Sequence, residues 1–152
     1  MKSFQAIKRY SGLILGASIF SIAGISGCGM FGSSDAKQPL HASSRNTSGE
    51  GTVEATRGEN GNTDIEVLVK HLSSPSKVES DSSVYVVWLQ PLGDAEIQNL
   101  GALRVDDNLV GTFNTTTPHS SFVLSITPEP SARMSQPSHG AVFTSEVALN
   151  DK

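Results

Sequence analysis

The run Val84-Tyr85-Val86-Val87-Trp88-Leu89 constrains the fold of this chain more than any other segment. Read as an extended strand over Ser83 to Gln90, it places Val84, Val86 and Trp88 on one side and Tyr85, Val87 and Leu89 on the other. Both faces are apolar, the mark of a central strand. The same period of two recurs around it. Asp64 to Leu72 puts Ile65, Val67 and Val69 on one face and Glu66, Leu68 and Lys70 on the other, and Ser120 to Thr127 aligns Phe122, Leu124 and Ile126. Further strands are expected over Ile97 to Val105, Leu109 to Thr115 and Ala141 to Val147. The punctuation is Ser73-Ser74-Pro75-Ser76, Pro91 to Asp94, Asp106-Asp107-Asn108 and a Pro- and Ser-rich loop from Pro128 to His139.

No window carries a helical stripe longer than two turns. The expectation is an all-β domain: a small antiparallel β-sandwich, immunoglobulin-like, of six strands, or seven if Thr52 to Arg57 forms one. Its expected core is Ile65, Val67, Val69, Val86, Trp88, Leu103, Phe113, Phe122, Leu124, Ile126 and Val142, with Trp88 at the centre. Gly101 and Gly111 are expected to permit bulges or close strand approach.

Residues 1–12 form a basic leader and residues 13–24, LILGASIFSIAG, an uncharged apolar stretch too short to span a bilayer. That is the plan of a secretory signal helix. The following Ile25-Ser26-Gly27-Cys28 resembles the lipobox of bacterial lipoprotein precursors. The resemblance implies a diacylglycerol thioether on Cys28, signal cleavage between Gly27 and Cys28, and acylation of the new amino group. The residues suit that chemistry, because Ser26 and Gly27 admit a peptidase and a thiol is the one side chain there nucleophilic enough to be alkylated. Two or three acyl chains at about 0.8 kcal/mol per buried CH₂ make attachment effectively permanent. Gly29 in place of an aspartate points to the outer membrane of a Gram-negative cell.

Removal of residues 1–27 takes away Lys2, Lys8 and Arg9 and no acidic side chain, so 11 basic against 15 acidic becomes 8 against 15. The mature chain is therefore more acidic than the whole, and within 63–147 there are four basic and ten acidic residues. An acidic balance without a basic stripe excludes nucleic acid as an expected partner. With Cys28 as the sole cysteine, there is no disulfide framework and no Cys-based zinc cluster. Residues 28–50 comprise the lipidated cysteine and a flexible tether poor in large apolar residues, 51–147 the sandwich domain, and 148–152 a tail.

Tyr85-x-x-Trp88-Leu89, Leu100-Gly101-Ala102-Leu103, Gly111-Thr112-Phe113, Ile126-Thr127-Pro128-Glu129-Pro130, then Pro137 and Gly140 follow an order similar to the extracytoplasmic C-terminal domain of anti-sigma-K factors. The resemblance implies a small β-sandwich outside the membrane that senses or binds. It does not carry over sigma regulation, since the sigma-binding helices and membrane-spanning helix of that family have no counterpart here. Glu129 is expected in a solvated loop, with Thr127-Pro128-Glu129-Pro130 leaving the sheet because proline cannot donate to a ladder.

No catalytic, cofactor-binding or metal-binding set is expected. Ser74-Pro75-Ser76-Lys77 formally fits the Ser-x-x-Lys pattern of penicillin-recognising enzymes, but no helix and no partner motif are expected around it. His41, His71, His119 and His139 lack metal-ligand spacing, and a composite His119 and His139 site has no support in the pattern. Asp106-Asp107-Asn108 reads as a turn and not a calcium loop. Asn46-Thr47-Ser48 and Asn114-Thr115-Thr116 fit the glycosylation pattern, but the lipobox resemblance implies a bacterial host, so they are expected to be turn and strand polar residues. The functional expectation is a membrane-anchored envelope lipoprotein with a non-catalytic interaction domain for a protein or glycan partner. The alternatives are an accessory modulator of an envelope sensor or anti-sigma system and, behind it, a hydrolytic or metal-dependent enzyme built around His71, His119 or His139.

Overall fold

A computed structural model of the protein describes residues 35–44, 49–94 and 96–149. The chain forms β1 (Asp35–Ala42), β2 (Glu50–Arg57), β3 (Thr63–Lys70), a single helical turn α1 (Pro75–Val78), β4 (Val84–Pro91), β5 (Gln98–Ala102), β6 (Arg104–Val105), β7 (Gly111–Thr117), β8 (Ser121–Glu129) and β9 (Phe143–Ala148). The nine strands among the described residues join one antiparallel sheet in the order β5-β4-β8-β9-β1-β2-β3-β7-β6. The two edge strands are consecutive in sequence, so the sheet nearly closes on itself. The all-β antiparallel expectation is met, with nine strands in place of six or seven.

The extra strands come from two places. The expected Ile97 to Val105 strand divides at Leu103, whose side chain is buried and whose N–H donates to the Tyr85 carbonyl at 2.9 Å. That residue carries the chain from one half of the sheet to the other. The second addition is β1, inside the segment expected to be tether. Asp35 to Leu40 pairs with Gly51 to Thr56, and His41 and Ala42 then pair with Thr144 and Phe143. β1 thus links the two halves. It contributes one fully buried apolar side chain, Leu40, and its order rests on backbone hydrogen bonds to two neighbours. A strand that buries a single large side chain, worth about 1.5–3 kcal/mol, leaves almost no apolar pattern in the sequence. For the same reason β2, expected as an edge strand, lies between β1 and β3 with Val53 and Ala55 in the core.

Ile65, Val67, Val69, Leu103, Phe122, Leu124, Ile126 and Val142 are in the core as expected, and Phe113 packs against it half-buried. From β4, however, the core receives Tyr85, Val87 and Leu89, while Val86 and Trp88 are equally buried on the opposite face. The centre of the fold is therefore not Trp88. Tyr85 is the largest fully buried side chain of the core cluster, with its hydroxyl donating to the Ser73 carbonyl at 2.9 Å. Leu72 joins the core because His71, at φ 57, reverses the side-chain phase after β3. Leu149, placed by the sequence reading in the tail, is buried and its N–H donates to the Ser120 carbonyl at 2.9 Å.

Gly101 has φ 132, next to a register shift between Val87 and Trp88, which is a conformation glycine alone adopts easily. Gly111 serves close approach, since a Cβ there falls 2.7 Å from Leu103 Cδ2.

Candidate functional site

The outward sides of the two halves of the sheet differ in kind. On β5, β4 and β8 the outward side chains include Asn99, Val86, Trp88, Thr127 and Glu129, and the last four are buried. The segment from Pro130 to Ala141 caps this side. Asn99 Nδ2 holds it by donating to the carbonyls of Ala132 at 3.0 Å and Met134 at 2.7 Å.

Beneath the cap runs a chain of directed hydrogen bonds. Trp88 Nε1 donates to Thr127 Oγ1 at 2.7 Å, and Thr127 donates to Glu129 Oε1 at 2.6 Å. Ser138 donates its backbone N–H to both carboxylate oxygens, at 3.0 and 3.2 Å, and its hydroxyl to Oε2. Glu129, with no exposed surface, is thus surrounded by donors, as a buried carboxylate must be. This overturns the solvated-loop expectation. The expected departure from the sheet at Thr127 is also corrected: β8 continues to Glu129, pairing Pro128 with Tyr85. Proline is tolerated there because β9 stops pairing at Ile126 and the imide nitrogen faces the vacated side.

His139 fills that side. Its Nδ1 lies 3.0 Å from the Pro128 carbonyl and 3.0 Å from Ser138 Oγ, and its Nε2 is 3.2 Å from Asp81 Oδ1. A carbonyl or carboxylate oxygen only accepts, so the Pro128 contact needs a proton on Nδ1 and the Asp81 contact one on Nε2; the neutral ring carries one of the two, and its tautomer sets whether Nδ1 donates to Pro128 or accepts from Ser138. Ser138 and His139 together tie the cap to the end of β8, Ser138 through the Glu129 carboxylate and His139 beside the Pro128 carbonyl.

The other residues singled out in the sequence do not converge. His119 and His139 sit at opposite ends of β8, His41 is on β1, and His71 turns the chain after β3. Ser74 caps a one-turn helix that was not expected, with Lys77 within that turn, but the Ser74 side chain makes no capping bond. Asp106 is a turn residue as expected: Oδ1 accepts from the N–H groups of Val110 at 2.8 Å and Asn108 at 3.0 Å. The Val110 bond first, and Asn108 after it, hold its carboxyl below the usual value. Among the described residues no group of three or more His, Cys, Asp or Glu is placed to hold a metal ion, and no helix is long and apolar enough to cross a membrane. Cys28, Gly27 and Asn46 lie outside the described residues.

The outward side of β1, β2, β3 and β7 carries no cap among the described residues. Its side chains form cross-strand rows: Lys37, Glu54, Glu66 and Asn114; Thr56, Asp64 and Thr116; Thr52, Leu68 and Thr112. Lys37 pairs with Glu54 at 3.2 Å, and Thr116 Oγ1 donates to Asp64 Oδ1 at 3.0 Å. Glu66 stands directly opposite Glu54, a like-charge pairing that weakens a sheet. Leu68 is 39% exposed in the same face, beside a shallow groove of about 310 Å³.

Sequence reasoning missed the cap network because its members, Asp81, Trp88, Thr127, Glu129 and Ser138 with His139, come from four separate segments. The one usable signal was an acidic residue flanked by prolines after an apolar strand. Compared with protein-family models and with curated proteins, the chain matches none.

Proposed function

We propose that this protein is a membrane-anchored bacterial envelope lipoprotein whose sandwich is a non-catalytic interaction domain, working through the uncapped face of β1, β2, β3 and β7. The anchor reading rests on Ile25-Ser26-Gly27-Cys28, and Gly29 favours the outer membrane.

The observation that carries the interaction reading is the Glu54 and Glu66 pair. Like charges placed face to face cost stability, and a solvated sheet has no need of them. They suit a face that meets a partner carrying positive charge. The polar cluster around Glu129 supports the non-catalytic part, because its donors and acceptors are engaged with one another.

Cys28→Ala should move the protein from the membrane pellet to the soluble fraction, and unchanged fractionation would sink the anchor. A photo-crosslinking side chain at Leu68 should give a discrete adduct in cells, whereas one at Arg133 on the capped side should not. Equal labelling at both positions, or none at either, overturns the assignment of the face.

A further inference from the structure

β7 is paired with β3 from Gly111 to Thr117, but on its other side β6 covers only Gly111 and Thr112. Residues 113–117 form a free edge among the described residues. The hydrogen-bond alternation fixes which backbone groups face it. Asp106 N–H donates to the Val110 carbonyl at 2.9 Å, so Val110 faces β6, and in an antiparallel ladder every second residue does likewise. Thr112, Asn114 and Thr116 therefore face outward, while Gly111, Phe113, Thr115 and Thr117 face β3. The N–H and C=O groups of Asn114 and Thr116 present four unshared positions to the edge.

This edge lacks the usual protection. Sheet edges are blunted by lysine, proline or bulges, and Phe113-Asn114-Thr115-Thr116-Thr117 has none of them. Across the seam β5 does not pair with β7, and a Cβ at Gly101 would meet Phe113 Cε2 at 3.4 Å. A cleft of about 240 Å³ remains, lined by Ala102, Arg104, Thr112, Phe113 and Asn114.

We propose that the Asn114 and Thr116 edge is a strand-addition site for an extended protein segment with basic side chains at alternate positions. The inference rests on the interaction reading above and names the class of partner. Main-chain hydrogen bonds supply the attachment in this mode and side chains the choice of partner. An added strand places its outward side chains beside Asn114 and Thr116, whose next neighbours across the sheet are Glu66 and Asp64. Two strand spacings, about 9.5 Å, are within reach of a lysine or arginine meeting a glutamate side chain. Lys37 is paired with Glu54, which leaves Glu66 facing a like charge. Arg104 at the β6 end disfavours a cation there, so the basic positions fall at Asn114 and Thr116.

The test uses the full chain in detergent micelles and a fluorescent, capped seven-residue peptide alternating valine with lysine. Binding should be saturable and should weaken about tenfold or more when alternate peptide amides are N-methylated, since each lost main-chain bond counts. On binding, amide exchange should slow at Asn114 and Thr116 and stay unchanged at Phe113 and Thr115. Asn114→Pro, which deletes an edge-facing N–H and leaves the β3 ladder intact, should abolish binding; if that variant does not fold, the methylated peptide and the exchange pattern decide. Absence of binding, or equal binding by the methylated peptide, overturns the proposal. If in the latter case Glu66→Gln still weakens binding, the acidic face alone is the site, and the interaction reading survives without the edge. A dimer of the chain that Asn114→Pro dissociates would make the occupant a second copy and also overturns it.

Discussion

The two outward faces of this sheet have opposite treatments of a glutamate. Glu129, on the β4 and β8 side, is fully buried and receives hydrogen bonds from Thr127 and from the backbone and hydroxyl of Ser138. Glu66, on the β2 and β3 side, is exposed and faces another glutamate. A buried carboxylate survives only where donors are built around it, and that requirement turns the capped side into structure. An exposed carboxylate is solvated whatever its neighbours, so its placement is open to use in binding. The face with serine, histidine and acid in line is thus the one whose polar groups are tied into the cap.

The largest effect separating the faces is expected at Trp88. Trp88→Ala removes a fully buried ring from under the cap and should cost about 3–5 kcal/mol in denaturant unfolding. A loss below about 1 kcal/mol would mean that the cap contributes little to the fold. Glu129→Gln comes next. It places an amide among groups arranged as donors and should cost about 1–3 kcal/mol, with faster exchange at the Ser138 amide. A neutral result would break the contrast, because it would make Glu129 as replaceable as Glu66.

A third measurement calibrates the core between the faces. Burial pushes the Tyr85 phenol up to about 12 from its ordinary 10.0. The folded state therefore keeps a proton that the unfolded chain loses, so stability is complete below about pH 10 and falls as the pH rises toward 12. Tyr85→Phe should lose about 1 kcal/mol at neutral pH, with the bond to Ser73, and show a shallower alkaline decline. The smallest effect belongs to the open face: Glu66→Lys relieves the opposition to Glu54 and should leave stability unchanged or raise it by about 0.5 kcal/mol. A clear destabilisation would show that Glu66 is structural after all.

What could be read in advance follows from how each element is held. β3 and β8 carry three or more core side chains in strict alternation, and both are legible from residues 64–70 and 121–127. β1 is held through its backbone, with Pro39 in the middle and Leu40 its only large buried residue, so its composition resembles a linker. The division at Leu103 was hidden for a different reason. The residues on both sides are extended, and only the choice of partner strand changes. Trp88 shows the limit of alternation within a strand apolar on both sides, since the pattern identifies two faces but not which of them is the core.

The amino-acid sequence by itself determined the all-β class and the two apolar faces of the strand at residues 84–89, because alternation and turn residues are local. Only the tertiary structure decided that Glu129 is buried, that Ser138 and His139 lock a cap, that Glu54 opposes Glu66 and that the edge at Asn114 is free. Each of these depends on strand register and on which segments meet. Pairing between distant residues is set by the packing of the whole domain, and no single stretch of the chain contains it.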